Sequence, residues 1–292
     1  MVSSAAKACR WTFPELTRRT ALLGLAMPGV ACSAAPTARF KVDTPEETAR
    51  GGVLSAWVYR PAGWAPGGRV VAVLHGASRN ADGYCDTWAP HAEAAQALLV
   101  CPDFSRQAYP GGAAYNEGGV PGHPPAYLAL PRLMAAVRAG QGDTGNRPFD
   151  CYGHSAGSQF LHRFLLLCGA PGAGRMVCAN AGYYSFPSME IAWPYGLGGV
   201  GDAAVLRAGL SRPLTVLLGE ADTDTRHPQL RQTPEANAQG AYRLARGRAF
   251  FAAGRDAASR LGVPFGWRLG TVPGVAHSNA GMAPEAAKAL WG

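Results

Sequence analysis

One serine, with glycine two residues before it and two after, separates a strand-like run from a helix-like run. No other feature constrains the chain as much. Phe149-Asp150-Cys151-Tyr152 leads into Gly153-His154-Ser155-Ala156-Gly157, and the next ten residues are apolar at 160, 161, 164, 165 and 167. That spacing is helical. A strand, a very tight turn and a helix leave Ser155 at the tip, where the backbone is strained and bulky neighbours have no room. Gly153 lets the strand approach the helix, and Gly157 lets the helix start without crowding the serine. A plain glycine-rich turn would use the same residues, so the rest of the chain has to decide.

The flanking segments alternate strand and helix. Val53–Arg60 alternates in polarity and stops at Pro61, while Arg69–Leu74 is a continuous apolar run rich in β-branched residues, the mark of a strand covered on both faces. Further strands read at 97–101, 175–180, 213–218 and 265–272, with helices around 88–97, 125–140, 234–261 and 283–291. Long Gly/Pro/Tyr-rich loops cover 103–125 and 181–212. Strands alternating with helices predict an α/β fold built on a mostly parallel sheet. At 292 residues, 48% of them hydrophobic and 16% charged, the chain can bury a substantial core.

A serine hydroxyl is a poor nucleophile at neutral pH and needs a base within hydrogen-bond reach, itself oriented by an acid. In a parallel sheet such groups gather at the carboxyl ends of strands. Ser155, Asp222 and His277 all follow strands, in that order along the chain. Asp222 closes Gly219-Glu220-Ala221-Asp222 and has the shortest exit from its strand; Asp224 competes with it, and Asp202 comes third. His277 lies in the Pro273-Gly274-Val275-Ala276 exit loop of the last strand. His75, His154 and His162 read as structural, and His91, His123 and His227 have no comparable context. Acyl transfer also builds charge on the carbonyl oxygen. The backbone N–H of Ala156 can meet it, and His75-Gly76-Ala77-Ser78 should supply a second donor, most simply the N–H of Ala77. Tyr183, Tyr184, Trp193 and Asn116 lie in the two long loops above the sheet and are candidates for the substrate wall; packing of irregular loops would use the same residues.

With these pieces the sequence resembles the α/β-hydrolase superfamily over roughly residues 50–292. Within it, the His75-Gly76-Ala77-Ser78 loop, the serine turn and Gly219-Glu220-Ala221-Asp222 resemble secreted esterases of the polyhydroxybutyrate-depolymerase-like group. The resemblance implies an α/β-hydrolase fold with a sheet of about eight strands and helices on both faces. It also implies a cofactor-independent serine ester hydrolase that forms an acyl-enzyme and releases it with water, from a small-molecule or polymeric ester. A peptidase or amidase with the same residues, or a non-catalytic envelope binding protein on this scaffold, are the alternatives. The 55 positions from Asp222 to His277 exceed a compact connection, so 224–262 reads as an insertion beside that at 181–212.

Residues 1–35 read as an address preceding the domain at 36–292. Thr17-Arg18-Arg19-Thr20 precedes an apolar stretch too short to span a bilayer, then small residues, a pattern of twin-arginine export to the periplasm or beyond. Val30-Ala31-Cys32 faintly matches a lipoprotein site, but Gly29 stands where leucine is usual; a lipid on Cys32 would be the one membrane link. Removing the leader leaves an odd number of cysteines, and bridges 168–178 and 85–101 are conceivable. The formal charge of +8 comes almost entirely from arginine, without a basic run interleaved with aromatics. It therefore reads as a solvated surface and gives no nucleic-acid reading. Gly196-Leu197-Gly198-Gly199-Val200-Gly201 matches dinucleotide glycine spacing but follows no strand, so nucleotide binding is rejected. No cysteine–histidine cluster supports a metal.

Overall fold

The computed structural model describes residues 37–118 and 125–292. Residues 1–35, read from the sequence as an export leader and including Cys32, and His123 lie outside them. Eight strands form one sheet: β1 (Ala38–Pro45), β2 (Val53–Arg60), β3 (Arg69–Leu74), β4 (Ala97–Asp103), β5 (Phe149–His154), β6 (Ala173–Ala179), β7 (Leu214–Gly219) and β8 (Trp267–Val272). Their order across the sheet is β1-β2-β4-β3-β5-β6-β7-β8, with β1 and β2 antiparallel at one edge and β4 to β8 parallel.

The helices are α1 (Ala81–Ala95), α2 (Ala129–Gly140), α3 (Ala156–Cys168), α4 (Ala203–Ser211), α5 (Pro234–Ala238), α6 (Arg243–Leu261) and α7 (Asn279–Trp291). They divide between the two faces, because side chains alternate along each strand. Val71 and Val73 pack with Trp88 of α1 and Met282, Ala286 and Leu290 of α7. Val70, Ala72 and Leu74 face the opposite core, with Leu133 of α2, Phe160 and Phe164 of α3 and Phe250 of α6. This two-sided burial is why β3 is apolar at every position after Arg69.

Several elements differ from the sequence reading. β1 is an edge strand whose residues alternate half-buried and exposed, and its charges hide it in the sequence. α1 begins at Ala81, and the segment read as one helix over 234–261 breaks at 239–242 into α5 and α6. Three of the arginines taken as solvated surface, Arg163, Arg243 and Arg246, are at most 1% exposed. Cys178 is a free buried thiol, so Cys168, which is disulfide-bonded, is not bridged to it; Cys85 and Cys101 are also free.

At the amino ends of the parallel strands a hollow of about 590 Å³ is lined by Arg69, Arg147, Arg175 and Arg212. Parallel strands bring helix carboxyl ends to this floor. Arg212 Nη1 donates to Gly169 O beyond α3 at 3.1 Å, Arg175 Nη1 to Leu290 O in α7 at 2.5 Å, and Arg69 Nη1 to Ala95 O of α1 at 3.5 Å. The positive charges thus offset the negative ends of the helices. Among the described residues no helix is long and apolar enough to cross a membrane.

Candidate active site

Ser155 stands between β5 and α3 at φ 57° and ψ −114°. Such backbone costs a non-glycine residue about 1–3 kcal/mol and persists only when its surroundings fix it. Here they do: Leu74 pairs with Gly153 and His154 with Ala179, and the Ser155 N–H donates to Ala179 O at 3.0 Å. Two close approaches require glycine. A Cβ on Gly153 would collide with the Gly157 carbonyl, and one on Gly157 would stand 2.9 Å from His75 O and nearer still to Leu74 O.

The exit loop of β8 carries His277 back over the sheet, stitched to the end of β7. Glu220 N–H donates to Val272 O at 3.0 Å and Ala221 N–H to Val275 O at 2.9 Å. Asn180, just past β6 at φ 49°, accepts the Gly219 N–H on Oδ1 at 2.8 Å and donates Nδ2 to Ala276 O at 3.3 Å. The result is a line of three side chains. His277 Nε2 is 3.1 Å from Ser155 Oγ, and His277 Nδ1 is 2.8 Å from Asp222 Oδ2. A carboxylate there accepts from Nδ1–H, which leaves the Nε2 lone pair for the serine hydroxyl. The Asp222 side chain is 2% exposed and that of His277 13%. The competing acids are engaged elsewhere: Asp224 Oδ1 accepts from Arg226 N–H at 2.8 Å, and Asp202 caps α4 through the Ala204 and Val205 N–H groups.

The loop after β3 passes beside the serine; a Cβ on Gly76 would lie 3.5 Å from Ser155 Cβ. Its carbonyls are tied away. Tyr115 OH donates to His75 O at 2.7 Å and Arg106 Nη2 to Ala77 O at 2.9 Å, while the Arg79 guanidinium, held by Phe104 O and Gly111 O, covers the Tyr115 ring. Among the described residues the N–H groups of Ala77 and Ala156 make no hydrogen bond. Burial pushes the His75 pKa down to about 4 and that of His154 well below the usual histidine value, so both rings stay neutral at physiological pH.

The four aromatic and amide candidates differ in position. Asn116 Nδ2 donates to Gln159 Oε1 at 2.9 Å. Tyr183 OH donates to Glu117 Oε1 at 2.8 Å, and its ring meets the Arg231 and Arg163 guanidinium groups at 4.4 and 4.9 Å. Trp193 is half-buried, with Arg163 at 5.4 Å from its ring. Tyr184 is fully buried and stacks on Phe250 at 4.5 Å, so it belongs to the core and not to an accessible wall.

Sequence reasoning passed over Asn180, Arg106, Arg163 and Arg243. Asn180 left a signal, since asparagine at a strand end tolerates positive φ. Arg243 left none, being one of several arginines in a helical run. Among the described residues no three His, Cys, Asp or Glu side chains group to hold a metal ion.

No protein-family model and no curated sequence matches the chain. Solved structures do. Poly(aspartic acid) hydrolase-1 from Sphingomonas sp. KT-1 is similar at 40% identity and TM-score 0.81, covering 88% of this chain and 98% of that one. The chain belongs to the α/β-hydrolase superfamily. The poly(3-hydroxybutyrate) depolymerase LpqC from Bordetella parapertussis is similar at 34% identity and TM-score 0.81, covering 88% of this chain and 90% of that one. An S-formylglutathione hydrolase from Staphylococcus aureus, at 15% identity and TM-score 0.58, shares the fold alone. This α/β-hydrolase is a hydrolytic enzyme.

Proposed function

We propose that the chain is an exported serine hydrolase that cleaves carboxylic esters of apolar or polymeric acyl groups through an acyl-enzyme. The observation that carries the reading is the hydrogen-bonded line Ser155–His277–Asp222. His277 Nε2 takes the Ser155 proton as Oγ attacks the ester carbonyl, and Asp222 favours the imidazolium and holds the ring in register. The N–H groups of Ala77 and Ala156 receive the oxyanion, an arrangement that supplies about 3–4 kcal/mol per donor in comparable sites. Collapse breaks the C–O bond to the alcohol, which leaves with the proton from His277. Water, deprotonated by the same ring, then attacks the acyl-serine and frees the acid.

Polyester as substrate is supported by the likeness to a poly(3-hydroxybutyrate) depolymerase. An amide polymer is the second reading, favoured by the 40% identity to a poly(aspartic acid) hydrolase. The triad chemistry serves either bond. Export rests on the paired arginines and short apolar stretch of the leader. The test labels wild type and Ser155→Ala with a fluorophosphonate, then assays both on poly(3-hydroxybutyrate), poly(aspartic acid) and p-nitrophenyl esters of graded length. Labelling and ester turnover that vanish together in the variant are expected. Wild-type turnover in Ser155→Ala refutes the nucleophile, and turnover of poly(aspartic acid) alone selects the amide reading. Recovery of the unprocessed chain in the cytoplasm refutes export.

A further inference from the structure

Both oxygens of Asp222 have partners, and the second partner is a buried cation. Oδ2 faces His277 Nδ1 at 2.8 Å, while Oδ1 lies 3.5 Å from Arg243 Nη1. Arg243 is the first residue of α6, inside the long connection that separates Asp222 from His277. Its side chain is 1% exposed. Its other arm, Nη2, donates to His227 Nδ1 at 3.1 Å, and that same nitrogen accepts the Gln229 N–H at 3.1 Å. The His227 ring meets the His277 ring edge-on at 5.5 Å. Leu244 N–H, one residue further along α6, donates to the Asp222 carbonyl at 3.2 Å, so backbone and side chain fasten the same two turns together.

A guanidinium this buried is costly unless its charge is answered and its donors are used. Arg243 answers the first need and only part of the second: Nη2 donates to His227, while Nε and Nη1 have no hydrogen-bond partner among the described residues. Burial depresses its pKa and the Asp222 carboxylate opposes that. A residue placed only for packing or hydrogen bonding has no reason to be a cation here. Facing Asp222 is what accounts for it. The aspartate carboxylate has a broad torsion about Cβ–Cγ, and a single bond to His277 leaves it free to turn.

We propose that Arg243 is the positioning residue of the candidate acid: it fixes the Asp222 carboxylate so that Oδ2 stays on His277, and through His227 it ties that carboxylate to the connection lying over the site. The inference rests on the Ser155–His277–Asp222 reading and gives the 224–262 insertion a task within it. A carboxylate that turns away frees the imidazole to tilt, and misplacement of about 1 Å costs about 10²-fold in rate. Substrate contacts do not change, so the loss should fall on kcat and spare KM.

The test compares Arg243→Gln, Arg243→Lys and Asp222→Asn, singly and as the double variant Asp222→Asn/Arg243→Gln, with Ser155→Ala alongside on a p-nitrophenyl ester. Arg243→Gln should lose about 10²-fold in kcat with KM within about threefold, and Arg243→Lys should recover most of it. In the Asp222→Asn background the same change should add little, since the group it positions is gone. Wild-type kcat in Arg243→Gln overturns the proposal. So does an equal loss in both backgrounds, which is the mark of general structural damage. If Arg243→Gln does not fold, His227→Ala reads the same tie: a several-fold loss in kcat at constant KM supports it, and unchanged kcat overturns it. Failure of the underlying reading is seen separately, as turnover retained by Ser155→Ala.

Discussion

Mild acid should destabilise this protein, and buried histidines should be the cause. His75 is fully buried, and its pKa is lowered from 6.5 to about 4 by that burial; the bond from Nδ1–H to the Gly76 carbonyl partly offsets this, and Arg79 adds to the lowering. His154 and His162 are shifted well below 6.5, again mainly by burial, with His277 and Arg243 opposing a charge on the first and Arg163 on the second. The hydrogen bonds agree for His162: Nδ1 donates to Ser158 O and Nε2 accepts from Ser185 N–H, so there is no place for a second proton. For each, the folded pKa lies below the unfolded one. The stabilisation is therefore complete above the unfolded value of 6.5 and drains away as pH falls through it toward the folded value. For His75 the total is about 3 kcal/mol, and each histidine contributes a slope of up to about 1.4 kcal/mol per pH unit within its window. Three together reach about 4 kcal/mol per pH unit, large beside a typical stability of about 5–15 kcal/mol. The carboxylates do not produce this slope. Burial raises Glu46, but hydrogen bonds from Arg132 and Thr48 outweigh it, and the Arg138 hydrogen bond holds Asp143 low, so both lose their contribution only below about their usual values. Asp103 and Asp150 are raised by burial, so falling pH relieves them and opposes the trend. Urea unfolding followed by tryptophan fluorescence from about pH 7.5 to about pH 5 measures the slope directly. His75→Asn should reduce it by about one third. A flat profile over that range, or an unchanged slope in the variant, refutes the reasoning.

Two further outcomes separate alternatives within the fold. Asp222→Asn should cost about 10⁴-fold in kcat by reversing the amide–imidazole hydrogen bond, whereas Asp224→Asn should stay near wild type because that carboxylate only caps Arg226 N–H. Steady-state kinetics decides, and the opposite ranking moves the acid to Asp224. Gly157→Ala should lower stability by about 1–3 kcal/mol or more, as its Cβ collides with the Leu74 and His75 carbonyls, while Gly140→Ala, with open space around it, should be neutral or stabilising. Equal melting temperatures for the two variants would refute the close-approach argument.

What was legible in the sequence was local. The apolar run of β3, the helical spacing after Ser155 and the glycines around it state their environment within a few residues. The order Ser155, Asp222, His277 was readable because each follows a strand, and parallel strands deliver their carboxyl ends to one edge. What was illegible depends on partners distant in sequence. β1 exists because β2 pairs with it at every residue from Val53 to Arg60, not because Ala38–Pro45 looks apolar. Arg163 is buried because Ser185, the Asn116 carbonyl and Gln159 all accept from it. Arginine is common throughout this chain, so its count concealed the few that lie inside.

The buried arginines also say what the long connection between Asp222 and His277 is made of. Arg246 donates to Gly240 O, Gly182 O and Asn237 Oδ1, joining the α5–α6 break to the loop after β6. One turn earlier on the same helix, Arg243 reaches Asp222 and His227. The two residues are three apart and so project from one face. That face looks down on the carboxyl ends of β6 and β7, where Asn180 in turn holds the Gly219 N–H and the Ala276 carbonyl. The His277 loop is tied to the turn after β7 and to Asn180, and α6 reaches it through Asp222 and His227. A connection read from sequence as an elaboration is therefore continuous with the scaffold of the site. Changes in α6 should register first as changes in the geometry of Asp222 and His277.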